Sequence, residues 1–429
     1  MNSAATKTVT GPMSGGMRVR LSIMMFLEFF IWGAWYVTLG TWLSQSSLHF
    51  DARQVGLAAG TTAVGAMLAP FLVGLVADRY FATQHVLALL HGIGAIALWI
   101  ASLQSSFVPL YWVILLYCLC YMPTLALTNS LAFRQMQDPK TEFSPIRVSG
   151  TLGWIIAGLL IGFAGVEATQ RPIQLAAAVS AIMAIYCLTL PATPPLLTTS
   201  SVGKRGIFPR EVLQLVSRRS LAIFALASMA ICIPLQFYYA YTNLYLNKIG
   251  VANAAAKMTG GQASEFFCML LIPWFFRRLG VKYMLIAGMI AWVARYILFA
   301  YGSANGLVDP SRIWMLWGGI LLHGICYDFF FVTGQIFIDR EAPAAIRAAA
   351  QGFITFLTYG VGMFVGSWLS SSVAEHYSQT LADGSISYQW RSIWLFCAAA
   401  SAIVLVLFAL TFKEDQPAPR DEIALDKAA

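Results

Sequence analysis

The sequence predicts an all-α polytopic membrane protein with twelve transmembrane helices arranged as two six-helix bundles. Hydrophobic residues make up 59% of the 429-residue chain and charged residues only 11%, whereas a soluble domain carries about 25% charged residues. Twelve apolar runs have roughly the 18–25 residues that a helix needs to cross a bilayer. One long polar connection separates the sixth run from the seventh.

The predicted spans have ends that are accurate to a few residues. They cover residues 20–46, 53–77, 85–104, 109–133, 147–166, 173–190, 220–247, 257–276, 283–302, 312–338, 347–373 and 390–412. The corresponding division is an N-terminal tail (1–19), a first bundle (20–190), a linker (191–219), a second bundle (220–412) and a C-terminal tail (413–429).

The two bundles carry similar landmarks at nearly the same offset, which favours a duplicated six-helix unit. Pro70 and Pro273 lie 203 residues apart, and Arg147 and Arg347 lie 200 residues apart. Parallel halves of this kind are the plan of major facilitator transporters, whose binding site lies between the halves near the middle of the membrane. The alternative is chance, since proline and arginine are common at helix ends.

The basic residues are distributed as in a membrane protein. They give a net charge of +8, which by itself is compatible with a nucleic-acid partner. With an even number of spans both termini lie on one side, and that side has nineteen lysines and arginines against six on the other. Because cytoplasmic loops are richer in positive charge, we predict cytoplasmic termini and no nucleic-acid partner.

The sequence contains no signature of an enzyme or of a cofactor site. It lacks a phosphate-binding loop, a His-Glu-x-x-His motif and a Gly-x-Ser-x-Gly motif. Its seven cysteines lie in apolar runs without metal-ligand spacing. We therefore predict secondary transport driven by an ion gradient, with the proton as the simplest coupling ion and with no metal or cofactor.

Asp328 is the most unusual residue of the predicted helices. It lies in an apolar run from about Ile313 to Phe337 that contains no lysine or arginine. An acid at the centre of a membrane costs roughly 2.5–3.5 kcal/mol on insertion scales, so such residues generally mark proton or substrate sites. We expect Asp328 to face a water-filled cavity. The alternative is an acid at a helix end, near the membrane surface.

One face of the first predicted helix combines an acid with aromatic rings. Its members, at i, i+4, i+7 and i+8, are Glu28, Trp32, Trp35 and Tyr36. This face suits a cavity that stacks a planar ring, with Glu28 as a candidate proton carrier. An aromatic stripe packed against lipid or a neighbouring helix, with Glu28 hydrogen-bonded inside the bundle, explains the pattern equally well.

The fifth predicted span, residues 147–166, has Arg147, Thr151 and Trp154 at i, i+4 and i+7, again on one face. An arginine there can donate several fixed hydrogen bonds to a substrate oxygen or a carboxylate. The alternative is that Arg147 only marks the cytoplasmic start of the helix, as the positive-inside rule predicts.

The seventh and eighth predicted spans, residues 220–247 and 257–276, contain side-chain amides and another acid. Gln236 is followed by Tyr239 and Asn243, while Gln262 and Glu265 lie three residues apart on one helix face. These groups suit the hydroxyls and ring edges of a polar, uncharged solute. The alternative is structural hydrogen bonding between helices.

Three further charged residues receive other roles. Arg295, in helix 9, needs a partner or a route to water, and we predict a structural role for it. Asp78 and Arg79 follow the second predicted span. We expect this pair to act in gating, by latching the two halves together in one state.

Six short motifs, in this order, resemble the nucleoside:proton symporter family of the major facilitator superfamily. They are Phe29–Trp35, Tyr121–Thr124, Ile146-Arg147 with Gly150, Thr151 and Gly153, Gln262 with Glu265, Tyr327–Phe330, and Ile346-Arg347 with Gln351-Gly352. The resemblance extends from about residue 18 to 412. Within the family the chain looks closest to a less characterised branch, which shares the helix-1 acid and the Leu322-His323-Gly324 sequence.

The resemblance implies uptake of nucleosides with protons across the bacterial inner membrane. The predicted substrate-binding residues, most of them carried over from the family's motifs, are Arg147, Thr151, Trp154, Gln236, Tyr239, Gln262, Glu265, His323, Tyr327 and Trp32. Asp328 matches the family's helix-10 acid and is the first candidate for proton coupling, ahead of Glu265 and Glu28. Tyr239 stands where the family has asparagine, so the preferred nucleoside is left open.

The expected mechanism is a rocking of the two bundles about a site at mid-membrane. We expect a monomer in the lipid bilayer. Two other functions are compatible with the residues: a major facilitator carrier for another polar neutral solute, such as a sugar or nucleobase, and a receptor that binds without translocating. The termini and the linker are too short to hold a sizeable signalling domain, which weighs against a receptor.

Overall fold

The structure is a computed structural model, and it describes residues 13–72, 81–137, 139–194, 210–343 and 346–413. Most of this chain is helical, because a helix satisfies its own backbone hydrogen bonds where no water is available. The first half contains α1 (Gly15–Trp35), α2 (Leu39–Gln45), α3 (Ala52–Leu72), α4 (Thr83–Ser102), α5 (Phe107–Phe133), α6 (Pro139–Ala164) and α7 (Arg171–Cys187).

The second half begins with a short helix and contains two interrupted helices. Its helices are α8 (Arg210–Val216), α9 (Arg219–Lys248), α10 (Ala254–Tyr301), α11 (Ile313–Leu321), α12 (His323–Tyr327), α13 (Thr333–Glu341), α14 (Arg347–Thr355), α15 (Met363–His376) and α16 (Trp390–Thr411). A 3₁₀ turn (Pro310–Arg312) precedes α11. Two π-helical segments, Asp328–Val332 and Phe356–Gly362, follow α12 and α14.

Two small antiparallel hairpins connect helices in the second half. Strands β1 (Ser303–Ala304) and β2 (Leu307–Val308) pair after α10. Strands β3 (Ser378–Thr380) and β4 (Ile386–Tyr388) pair after α15. Neither hairpin was expected, since strands of two or three residues leave no readable alternation in the sequence.

Nine stretches of the described chain are long and apolar enough to cross a membrane. The prediction of a polytopic helical membrane protein is therefore confirmed in its main feature. Two further helices, α3 and α7, do not meet those criteria. The longest stretch, α10, joins what the sequence predicts as two spans, and its backbone leaves the helical conformation at Gly280 (φ 67°, ψ 178°).

Two predicted helix starts were wrong, and the predicted linker contains a helix. Helix α1 begins at Gly15, where the Ser14 hydroxyl accepts a hydrogen bond from the Met17 amide. Helix α6 begins at Pro139 and continues through Pro145, so Arg147 lies inside a helix rather than at its start. The linker predicted for residues 191–219 contains α8.

The two halves meet along pairs of helices related by the repeat. Helix α6 packs against α10, and α3 packs against α15. Within the first half α1 packs closely on α6, where a Cβ atom at Gly153 would lie 2.2 Å from the Phe26 carbonyl oxygen. Glycine is therefore required at this crossing, which places the aromatic face of α1 beside the polar face of α6.

We call the end of the bundle formed by loops 46–51, 165–170 and 249–253 and by both hairpins the distal end. Several hydrogen bonds there join the two halves. The Thr41 hydroxyl contacts the Asn243 amide oxygen at 2.5 Å, and the Tyr241 hydroxyl donates to the Ala52 carbonyl at 2.7 Å. The distal end is thus closed in this conformation.

Candidate functional site

A cavity lies between α1 and α6 of the first half and α9 and α10 of the second. Its walls are mainly apolar and aromatic, with a few polar groups, as is usual for small-molecule sites. The lining residues are Gly33, Val37, Thr38, Trp154, Gly158, Ile161, Tyr238, Tyr239, Ala255, Met258, Thr259 and Gln262. Three predicted binding residues, Trp154, Tyr239 and Gln262, therefore share one cavity.

A chain of aromatic rings links Trp154 and Tyr239, two residues on opposite sides of this cavity. Trp154 meets Trp32 edge-on, with ring centroids 5.4 Å apart. Trp32 lies 5.9 Å from Tyr36, which lies 5.6 Å from Tyr239 of the second half. The indole N–H of Trp32 is buried and has no hydrogen-bond partner in the described part of the chain, so a polar group of a bound ligand could accept from it.

Arg147 occupies the first-half side of the site. Its guanidinium carbon lies 4.0 Å from the centroid of the Phe29 ring. Its charge also interacts with Glu265 and Tyr327 of the second half. Thr151 lies one helical turn away and is half-buried. The predicted polar face of α6 is therefore turned toward the second half.

His323 lies at the centre of the second-half side. Its Nε2 is 3.8 Å from Glu265 Oε2, and its Nδ1 is 3.1 Å from Arg295 Nη1. Its ring stacks on Tyr238 at 5.5 Å and on Tyr327 at 5.8 Å. Because Tyr238 also lines the cavity, this cluster is in contact with it.

The two π-helical segments meet beside this cluster. The hydroxyls of Tyr327 and Tyr359 are 2.5 Å apart. Tyr359 belongs to the second π segment, and Asp328, the next residue after Tyr327, begins the first. Insertions of this kind are rare and frequently occur at functional sites. The sequence does not reveal them, because they depend on contacts between helices.

Asp328 is fully buried within a helical stretch rather than at a helix end, and it is not among the residues that line the cavity, so the expected exposure to a water-filled cavity is not seen. Its relative exposure is 0%, and neither carboxylate oxygen has a hydrogen-bond partner among the described residues. It lies close enough to Glu265 for the two charges to interact. Charging both of two neighbouring carboxylates costs more than charging one, so this pair is suited to holding a proton.

Gln236 has a similar character within α9. It is fully buried, and neither its amide nitrogen nor its amide oxygen has a hydrogen-bond partner in the described part of the structure. A buried amide left unpaired costs free energy. The Gln236 side chain is therefore free to pair with a ligand or with water when the halves move.

Glu28 lies in a different place from the other predicted residues. Its carboxylate contacts His91 Nε2 at 3.0 Å and accepts from the Thr124 hydroxyl at 2.5 Å. The Tyr121 hydroxyl donates to the Glu28 carbonyl oxygen at 2.6 Å. The acid is fully enclosed in the first half, which favours the packed interpretation for Glu28 itself.

Two points remain: the predicted gating pair, and a residue between the halves that was not predicted. Asp78 and Arg79 lie outside the described residues. Glu167 was not predicted, and it joins the halves at the distal end: it accepts from the Asn243 and Asn247 side chains, both at 2.8 Å, and from the Ala255 amide at 3.0 Å. Only the i, i+4 spacing of the two asparagines could have indicated such a partner.

Comparison with known proteins decides the family. Residues 15–417 match the family described as nucleoside H⁺ symporter. The chain belongs to that family. The family consists of transporters, not enzymes, and the predicted resemblance is confirmed.

Three Escherichia coli (strain K12) relatives match over nearly their full lengths. YegT, provisionally named as a nucleoside transporter, is 39% identical over 406 residues, which is 92% of this chain and 93% of YegT. The nucleoside permease NupG is 32% identical over 412 residues, with 92% and 96% coverage. The xanthosine permease is 32% identical over 414 residues, with the same coverage.

Solved structures show the same architecture. A crystal structure of the nucleoside transporter NupG has a TM-score of 0.83 at 31% identity, covering 93% of this chain and all of that one. A mutant of NupG gives 0.85 and covers 92% of this chain and all of its own. The peptide transporter PepTSo shares the fold alone, with a TM-score of 0.73 at 13% identity and coverage of 93% and 98%. The fold is therefore of the major facilitator type.

Proposed function

We propose that this protein imports nucleosides together with protons across a bacterial inner membrane, by alternating access. Membership of the nucleoside H⁺ symporter family supports the substrate class and the coupling ion. The observation that carries the proposal is the junction between the halves. There an aromatic cavity lies between the two halves, and the same junction holds a buried acid, Asp328, that has no partner among the described residues.

The proposed membrane topology has twelve spans. Counting α10 as two helices separated at Gly280, and adding α3 and α7 to the apolar stretches, brings the nine candidates to twelve. Residues 20–190 and 220–412 are then two bundles joined by the linker. The excess of basic residues on one side supports cytoplasmic termini, and in this proposed topology the distal end faces the outside of the cell.

In the proposed binding mode the base of the nucleoside stacks in the aromatic cavity. Trp154, Trp32 and Tyr239 supply ring faces and edges on three sides. Stacking of a base on an aromatic side chain contributes about 1–3 kcal/mol and tolerates different bases. The polar groups must therefore determine which nucleoside is preferred.

The polar groups would bind the ribose hydroxyls and the base edge. Gln262 lines the cavity. Glu265 lies on the same helix face as Gln262 and next to His323, and the charge of Arg147 interacts with Glu265 across the junction. Gln236 has both amide atoms unpaired among described residues. Together these residues offer donors and acceptors, as a solute that carries several hydroxyls requires.

In the proposed coupling step a proton binds at Asp328, with Glu265 as its neighbour. Protonation removes a charge from a buried position and so lowers the cost of filling the cavity with a neutral solute. Release to the cytoplasm follows loss of the proton. Glu28 is not assigned to this step, because it is already paired with His91 and Thr124.

The distal contacts supply the proposed outer gate. Glu167 holds α9 and the start of α10 against the loop between α6 and α7. For a nucleoside to enter from the distal end, these hydrogen bonds must break. The described conformation corresponds to a carrier closed toward the outside.

Transport into proteoliposomes tests the proposal. An imposed inward proton gradient is expected to drive accumulation of labelled uridine or adenosine, and unlabelled nucleobases and sugars are expected to compete poorly. Asp328→Asn is expected to abolish accumulation while retaining counterflow exchange. Wild-type uptake that does not depend on the proton gradient would contradict symport. Gradient-driven uptake by Asp328→Asn would show that Asp328 does not carry the coupled proton.

A further inference from the structure

We propose that Arg295 is a positioning residue that holds His323 neutral, with its only N–H on Nε2 and directed toward Glu265 and the substrate. Its effect on transport rests on the function proposed above. The state of the imidazole ring does not, so the two can fail independently.

The argument begins with the contact between Arg295 and His323. Arg295 Nη1 lies 3.1 Å from His323 Nδ1. A guanidinium group has only donors, so the imidazole nitrogen that faces it must be the acceptor. An Nδ1 that accepts a hydrogen bond carries no proton, and the single proton of a neutral imidazole must then reside on Nε2. If both imidazole nitrogens were protonated, the Nδ1–H would face an N–H of Arg295, and the positive imidazolium would face the positive guanidinium.

Arg295 is placed so that it maintains this contact permanently. It is fully buried, and its guanidinium carbon lies 3.5 Å from the Tyr238 ring centroid, 5.5 Å from Trp292 and 5.8 Å from Phe299. No carboxylate lies within 4.0 Å of it among the residues that the structure describes. Aromatic faces stabilise a desolvated cation, and arginine stays charged in proteins. His323 is therefore its main polar partner.

The other side of the imidazole faces the site. His323 Nε2 lies 3.8 Å from Glu265 Oε2, which is too long for a hydrogen bond. The rings of Tyr238, from α9, and of Tyr327, from the same helix, stack on the imidazole and fix its plane. Arg295, Glu265 and these two tyrosines are the titratable and charged groups that face His323.

The pair formed by His323 and Glu265 suits one kind of ligand group. A hydroxyl beside the pair, at about 2.8 Å from Nε2 and from Oε2, can accept from the imidazole N–H and donate to the carboxylate at the same time. A ribose hydroxyl has this property, and a methyl or methoxy group does not. Arg295 thus makes His323 a donor that selects for a hydroxyl, and it prevents His323 from carrying the coupled proton.

Nitrogen NMR on protein labelled at its five histidines tests the ring state directly. The His323 signals are assigned by their loss in His323→Gln. We expect the wild type to show the neutral ring with hydrogen on Nε2 and no change between about pH 5 and 8, the range in which free histidine titrates. Arg295→Met is expected to make His323 titrate or exchange tautomers.

Two further variants keep this test decisive. Arg391 also lies over a tyrosine ring, that of Tyr301 at 4.6 Å, but at the protein surface. Arg391→Met therefore controls for the loss of an arginine and should leave the His323 signals unchanged. Arg295→Lys keeps a charge and a donor if Arg295→Met does not fold, and it should retain the Nε2–H form. A His323 that carries its hydrogen on Nδ1, or that titrates in the wild type, would overturn the proposal.

Binding measurements separate positioning from a merely structural role. Arg295→Met is expected to weaken uridine binding about tenfold in the wild-type background, the order of one lost hydrogen bond to a charged group. In a His323→Phe background the same change should cost less than about twofold, since the residue through which Arg295 acts is gone. Equal losses in both backgrounds would contradict the proposal. Failure of the wild type to bind any nucleoside would instead reject the proposed function and leave the NMR result standing.

Discussion

Each half of the molecule buries a glutamate next to a histidine, and the two pairs differ in almost every other respect. In the first half Glu28 contacts His91 at 3.0 Å and the Thr124 hydroxyl at 2.5 Å, and it is fully enclosed. In the second half Glu265 is 3.8 Å from His323, and its side chain is 21% exposed.

The difference between the two pairs distinguishes a glutamate that stabilises the fold from one that can bind and release a proton or a ligand. A buried carboxylate with its hydrogen-bond partners in place stabilises the bundle. A carboxylate that is partly exposed beside an unpartnered acid and a loosely placed donor can accept a proton or a ligand. We infer that the Glu28 pair supports the first half, while the Glu265 cluster, with Asp328, performs the transport chemistry.

The largest expected effect is on the stability of the first half. Glu28→Ala removes the partner of His91 Nε2 and one acceptor of the Thr124 hydroxyl, and it leaves a cavity inside the first half. Each buried polar group left unpaired typically costs about 1–3 kcal/mol. The thermal unfolding of purified protein in detergent measures this loss. Glu265→Ala is the matched control, because that side chain is partly exposed and lacks a close partner, and it should cost much less. A Glu265→Ala variant as destabilised as Glu28→Ala would contradict the distinction.

The next effect is on nucleoside binding. Glu265→Gln replaces a charged acceptor at the edge of the cavity, and such a hydrogen bond contributes about 1.5–3 kcal/mol, so binding should weaken by roughly 10- to 150-fold. Titration calorimetry with uridine checks the value. Glu28→Gln should change the affinity less than about twofold, and an equal loss in both variants would show that the first-half acid also faces the substrate.

The smallest effect concerns the distal end. Glu167→Gln weakens the contact that receives the Ala255 amide and the two asparagine side chains. A loss of about 1 kcal/mol should make the distal end open roughly fivefold more often. Hydrogen exchange at Ala255 reports this opening. Exchange of the Ala255 amide at the wild-type rate in Glu167→Gln would mean that Glu167 does not keep the distal end closed. Glu211→Gln, in the separate short helix α8, is the control.

The sequence predicted most of the helices and three of the twelve residues that line the cavity. Long apolar runs and face-sharing polar residues depend only on local spacing, so Trp154, Tyr239 and Gln262 could be placed on the right helices. The predicted span placed Arg147 at a helix start, where the positive-inside rule accounts for an arginine. The helix in fact begins at Pro139 and continues through Pro145, although an internal proline removes a backbone hydrogen bond.

Other features depend on contacts between distant residues. Glu28 and His91 are 63 residues apart, and Arg295 and His323 are 28 apart, so no motif could pair them. The π-helical segments that present Asp328 and Tyr359 arise where α10, α9 and α3 pack on them. A polar residue inside an apolar run signals only that a partner exists, and the fold decides which partner it is.

The most direct test of the division between the halves is the ratio of proton-driven accumulation to counterflow exchange in proteoliposomes. It should be measured for Glu28→Gln and Asp328→Asn side by side, since each change replaces one buried acid by its amide. For Glu28→Gln we predict the same ratio as for the wild type. For Asp328→Asn we predict a ratio near zero, because accumulation is no longer driven by the proton gradient. Counterflow exchange should be retained in both variants. The opposite pattern, in which Glu28→Gln loses proton-driven accumulation and Asp328→Asn keeps it, would contradict the account.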